Sequence, residues 1–266
     1  MIWARRIAQD INVALCLALI VRLLVLRLHR VYRIFCLFLL SELLGSLAAS
    51  LKLLVPERLP DYRIIWIVAD SVIWVCTLWT VYALLDAVLT NLPGILGFSQ
   101  KLLNGAFIFA GILAMLTARP EYSVSGAGAF PDPIARTVGI VFVLDRVLST
   151  VALLVLVSIL SFLLWFPVEV SKNLIVFSTG FLVYFAAKTA LLLTSSLWSH
   201  ESLRLVSNLM MLISGACFAY WAIFITDQGE TVPVRIGHSW HIREQERLIG
   251  QLEAMNAALL RSAVRR

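Results

Sequence analysis

The chain has 266 residues, of which 61% are hydrophobic and 14% charged, with a mean hydropathy of +0.91. A water-soluble domain of this size presents far more charge, so the composition excludes an ordinary soluble globular protein and predicts a chain dissolved in lipid. The net charge is +6 with a pI near 9.4. The arginines flank apolar stretches and form no basic cluster with interleaved aromatics, which argues against nucleic acid and for bilayer headgroups as the partner of that charge.

A bilayer-crossing helix needs roughly 20 mostly apolar residues, because the hydrocarbon layer is about 30 Å thick and a helix rises 1.5 Å per residue. Apolar runs at 11–28, 31–54, 64–89, 98–117, 137–166, 174–197 and 203–225 predict an all-α bundle of seven transmembrane helices over residues 1–226. Barrel strands would alternate apolar and polar residues, and these runs are unbroken. Arg5 and Arg6 precede the first run as in a signal peptide, but no small-x-small cleavage site follows, so a retained span is expected. The fifth run is the longest and predicts a tilted or projecting helix. The connection at 119–136 carries Pro120, Gly126, Gly128, Pro131 and Pro133, which predicts an irregular loop. The other connections are short, so consecutive helices should be antiparallel neighbours. Positive charge at the hinge Leu28-His29-Arg30 and in the tail favours an outside N-terminus and a cytoplasmic C-terminus in a bacterial inner membrane, with Arg5 and Arg6 weighing against. No internal repeat of the inverted-transporter kind is evident.

Ionisable groups inside hydrocarbon cost several kcal/mol unless paired or hydrated. Asp70, Asp145, Arg146 and Lys188 fall at similar depth in three different spans and sum to zero charge. They predict an intramembrane polar cluster in which the two cations pair with the two carboxylates. An internal salt-bridge device fixing helix register and a polar cavity for an ion or small ligand are both compatible with that pattern. Arg22 and Glu42, in spans joined by a tight connection, predict a second pair. Gly45 and Ala49 beside Glu42 form a small-residue seam that lets another helix approach closely. Asp86 lies near the inner boundary, within reach of water. Lys188 has the look of a retinal lysine, but rhodopsins carry theirs in the last helix and the run 203–225 has no lysine.

Catalytic and cofactor signatures are missing. There is no HExxH, GxSxG, phosphate-binding loop or GxGxxG motif. His29, His200, His238 and His241 avoid the middle of the spans, which leaves haem without ligands. His238, His241 and Glu244 share a helical spacing that reads as solvated side chains more readily than as a zinc site. Cys16, Cys36, Cys76 and Cys217 have neither zinc nor redox spacing and should act as small packing residues. No enzymatic activity, no cofactor and no metal are expected.

At Asp227 the composition turns polar. Residues 227–238, with Gly229, Pro233 and Gly237, read as a linker, and residues 239–266 as a cytoplasmic helix with Ser239 as its N-cap. A heptad register places Ile242, Ile249, Asn256 and Ala263 at a positions and Gln245, Leu252, Leu259 and Arg266 at d positions. Asn at an a position specifies parallel dimers, so Ile242, Ile249, Leu252, Asn256 and Leu259 are the candidate association residues for a homodimer or a partner protein. The wider stripe of Leu248, Ile249, Leu252, Met255 and Leu259 equally fits an amphipathic helix on the inner leaflet or docked on its own chain. Several membrane helices followed by a cytoplasmic coil resemble the membrane modules of bacterial sensory receptors, and the resemblance implies signalling through a partner. The expected function is therefore a non-enzymatic sensory or scaffolding subunit. Alternatives are a small transporter or channel subunit using the intramembrane charges, or a structural subunit of a larger complex.

Overall fold

The computed structural model describes residues 2–54, 62–117, 133–166, 168–197, 202–231, 233–235 and 242–264. Seven long helices follow one another: α1 (Ile2–Val25), α2 (Arg33–Leu54), α3 (Tyr62–Leu89), α4 (Pro93–Thr117), α5 (Pro133–Trp165), α6 (Lys172–Leu197) and α7 (Ser202–Phe224). A single turn, α8 (Gln228–Thr231), and the tail helix α9 (Ile242–Val264) complete the chain. Among the described residues, four stretches are long and apolar enough to cross a bilayer: Ile67–Leu89, Pro93–Ile112, Ile140–Trp165 and Lys172–Thr194; Asn208–Phe224 is apolar but shorter. The irregular loop expected at 119–136 lies mostly outside the described residues, as do the expected N-cap Ser239 and the histidines His200, His238 and His241.

The helix ends follow from local chemistry. Arg27 adopts φ 57° and ψ 13°, a left-handed conformation that stops α1 as a C-terminal cap residue does, here without the glycine that favours it. The turn Leu28–Arg30 reverses the chain into α2. Pro93 and Pro133 open α4 and α5, where proline's fixed φ suits the first turn and its missing N–H removes a donor that would have no intrahelical partner. Pro93 is why α4 begins five residues before the expected 98. The linker after residue 227 holds more structure than expected. Pro233–Arg235 (β2) pairs antiparallel with Glu169–Ser171 (β1), matching Val170 to Val234, and this ribbon ties the α5–α6 connection to the segment after α7.

Every pair of consecutive long helices packs together where both are described, α6 against α7 and α1 against α2 included. Helices α1, α2, α3, α5, α6 and α7 close a ring, since α3 also touches α5 and α7 touches α1, while α4 lies outside it against α5, α3 and α9. The ring interior is aromatic. Phe35 and Phe38 of α2 meet Phe177 and Phe181 of α6 and Trp221 of α7, with Phe35 edge-on to Trp221 at 4.9 Å and to Phe177 at 4.6 Å. Such edge-to-face pairs add about 0.5–1.5 kcal/mol each beyond area burial. Gly180 admits Trp221 between α6 and α7: a methyl group there would lie 2.9 Å from the indole Cζ2 and closer still to Nε1. The expected seam at Gly45 faces α3, where a Cβ would come 3.3 Å from that of Ala69.

Candidate functional site, a buried carboxylate and lysine centre

Lys188 and Asp145 form an ion pair, Nζ to Oδ1 at 2.6 Å, with both side chains largely shielded from solvent. Asp145 occupies the buried stripe of α5 with Ser149, Ala152 and Leu156, spaced at the helical repeat that keeps them on one face. Trp74 of α3 donates its indole N–H to the same Asp145 oxygen at 3.0 Å. Asp145 is thus held by an ammonium from α6 and an indole from α3.

Two further carboxylates complete the centre. Glu42 of α2 accepts a hydrogen bond from the Tyr184 hydroxyl at 3.1 Å and lies within electrostatic reach of Lys188 and Asp145. Asp70 of α3, one turn before Trp74, interacts electrostatically with Asp145, Lys188 and Glu42. Its buried Oδ2 has no hydrogen-bond partner among the described residues. Three carboxylates from three helices therefore share one ammonium. One carboxylate is balanced by Lys188, and each of the other two needs a bound proton or another cation in so apolar a setting.

The expected cluster is changed in membership. Asp70, Asp145 and Lys188 come together, but Arg146 does not pair with a carboxylate among the described residues. It follows Asp145 by one residue, about 100° round α5, and so leaves the stripe that faces the centre. Glu42 takes the place assigned to it. The expected Arg22–Glu42 pair does not form: Arg22 donates to the backbone carbonyl of Ile225 at 3.0 Å, joining the ends of α1 and α7. Glu42 lies nine residues into α2, about 14 Å along the axis, whereas Arg22 is only about 5 Å from the end of α1. The two are at different depths. The signal that would have placed Glu42 is its register, four and seven residues beyond the buried Phe38 and Phe35. Tyr184 and Trp74 escaped notice because their polar atoms sit on mostly apolar side chains.

The tail residues meet their own chain. Asn256 Oδ1 accepts from the backbone N–H groups of Gly94 at 2.6 Å and Ile95 at 3.3 Å. These amides belong to the first turn of α4, whose preceding residue, Leu92, has no side-chain oxygen to cap them. Leu252 is buried and Leu259 packs on the core, while Ile249 remains exposed. The side chain of Ile242 lies outside the described residues. Asn256 acts here as a helix cap supplied from another element.

At the end of the bundle where α9 docks, a cavity of about 410 Å³ opens between α2, α3, α6 and the β1–α8 region. Among the described residues, no three His, Cys, Asp or Glu side chains converge closely enough to hold a metal ion. No family model, curated protein or solved structure matches this chain.

Proposed function

We propose that the chain is a seven-span integral membrane protein without enzymatic activity that carries protons on the Glu42, Asp70, Asp145 and Lys188 centre, as a transport subunit. The observation that carries this reading is the imbalance of the centre: three carboxylates on separate helices face one ammonium, and the buried Asp70 Oδ2 has no hydrogen-bond partner among the described residues. A purely structural salt bridge needs one acid and one base, and Asp145 with Lys188 already supplies both. The two additional acids are hard to explain by packing, because an aliphatic residue of similar size avoids the desolvation penalty. Carboxylates on neighbouring helices exchange protons with one another through short rearrangements or water.

The sensory or scaffolding reading rests on the tail. In its favour, Ile249, Met255 and Leu260 of α9 stay exposed; against it, the central stripe with Leu252 and Asn256 is occupied by α4, and proton carriage is the stronger reading. The test is proton movement into vesicles reconstituted with the full chain and loaded with a pH-reporting dye, driven by a valinomycin-set potassium potential. Wild-type protein should acidify the lumen well above protein-free vesicles, and Asp70→Asn should lower that rate at least tenfold while the protein remains folded. Wild-type rates equal to those of empty vesicles, or an unaffected Asp70→Asn, would overturn the proposal.

A further inference from the structure

Helical spacing runs the charged centre and the tail-end cavity along the same three faces. On α6, Lys188, Tyr184, Phe181 and Phe177 follow at intervals of four, three and four; on α2, Glu42, Phe38 and Phe35 at four and three; on α3, Asp70, Trp74, Thr77 and Thr80 at four, three and three. Phe35, Thr80, Phe177 and Phe181 reach the cavity wall. Between wall and centre lie Phe38, which meets Phe181 at 5.4 Å and Tyr184 at 6.0 Å between ring centroids, and the buried Thr77. The cavity is thus a vestibule closed from the centre by about two turns of aromatic packing.

Its lining has a definite chemical character. Tyr32, Phe35, Phe177 and Phe181 supply ring surface, Glu169 and Glu230 supply carboxylates, and no Lys, Arg or His is among the described lining residues. Glu230 is oriented by neutral donors: the Tyr32 hydroxyl at 2.7 Å and the Asn173 amide at 3.3 Å. A half-buried carboxylate held by neutral groups beside ring faces attracts a positive charge with an apolar body, since the ring quadrupole and the carboxylate favour the same sign. Anions are repelled by both, and a neutral apolar guest would strip water from Glu230 without replacing it. Among the described residues, no ligands converge on a metal ion. The volume falls within the few hundred Å³ typical of small-molecule sites.

We propose that this vestibule binds an organic ammonium ion, a protonated arylalkylamine or a quaternary ammonium, with its charge at Glu230 and its apolar body against Tyr32, Phe35 and Phe177. The proposal rests on the transport reading in that it names a molecule bound on the route to the proton-carrying centre. Binding is measured without any gradient, so a failure of binding leaves proton carriage standing and a failure of proton movement leaves binding standing. The experiment is calorimetric titration of the full chain in lipid nanodiscs, blanked against empty nanodiscs, with benzyltrimethylammonium, benzyl alcohol and benzoate. The expected result is a saturable signal for the ammonium at least tenfold tighter than for the alcohol, with none for benzoate. Glu230→Gln keeps the shape of the site and should weaken the ammonium about tenfold. Ala83→Phe, which fills the vestibule from α3 without touching a charge, should abolish binding in a protein that still elutes as wild type. Equal affinity for ammonium and alcohol, no binding of the ammonium, or full binding in Glu230→Gln or Ala83→Phe would overturn it.

Discussion

Single side chains set both the packing and the electrostatics of this bundle, and two of them separate cleanly by experiment. Gly180 has no room for a methyl group against the fully buried Trp221, whereas a Cβ at Gly97 would meet nothing within 4 Å. Gly180→Ala should therefore lose about 1–3 kcal/mol through overpacking, while Gly97→Ala, in the open part of α4, should gain about 0.5–1 kcal/mol of helix stability. Opposite shifts in the thermal unfolding of detergent-purified protein check the pair; a stabilised Gly180→Ala would mean that Trp221 does not fill that gap. Lys188 poses the complementary test. Lys188→Met strands Asp145 as a buried charge and should destabilise by about 3–5 kcal/mol, and adding Asp145→Leu should restore most of the loss, since it removes the charge left behind. A double variant as unstable as the single one would show that Asp145 and Lys188 are held independently. At this scale much was legible: acidic and basic residues inside apolar runs announced themselves. What the sequence obscured was direction, because Asp145 and Arg146 are adjacent in the chain yet point about 100° apart. Only the buried stripe through Ser149, Ala152 and Leu156 tells which of them faces inward.

Among the elements, the tail is the one whose sequence left two readings open, a coil and a helix docked on its own chain. Its heptads suggested a coil with Asn256 setting register, its wider stripe a docked helix, and in the structure Leu252, Asn256 and Leu259 lie along α4 or the core beside it. Periodicity specifies which face of a helix is covered and is silent on what covers it. The clue was in α4: Pro93 and Gly94 open it with no side-chain oxygen at Leu92, so its first amides needed a cap from elsewhere. Gly94 also permits the close approach, since a Cβ there would lie 2.8 Å from Asn256 Oδ1 and 3.1 Å from Leu260 Cγ. Asn256→Ala should remove the cap at a cost of about 1 kcal/mol, and Gly94→Val should push α9 away altogether. Amide hydrogen exchange is the measurement, with faster exchange expected at Gly94 and Ile95 and across α9 in both variants. Unchanged protection in Gly94→Val would mean that α9 is held by contacts other than this one. The β1–β2 ribbon was hidden for a different reason: three-residue strands carry too short a pattern to be read.

For the whole molecule, the arrangement of contacts fixes which ends lie together. Arg22 near the end of α1 bonds Ile225 just beyond α7, and Asn256 of α9 bonds the start of α4. Short turns bring the end of α1 to the start of α2 and the end of α3 to the start of α4. The vestibule residues Tyr32, Thr90 and Glu230 belong to this same end. The outward surface is dominated by side chains such as Leu44, Val68, Val75, Phe109, Leu154, Val183 and Leu212, all exposed, and so broad an apolar face suits acyl chains rather than water. On the proposed seven crossings, an odd number, the start of α1 and the tail would fall on opposite sides of the membrane, and the positive charge of Arg27, Arg30, Arg33 and the tail favours the cytoplasm for the tail. In cells carrying the chain with its four cysteines replaced by alanine, a single cysteine at exposed Ser262 should react with a membrane-impermeant maleimide only after permeabilisation. One appended before residue 1 should react in intact cells. Reaction of both from the same side would require an even number of crossings, and since four helices already satisfy length and hydropathy on their own, the helix to re-examine would be among α1, α2 and α7.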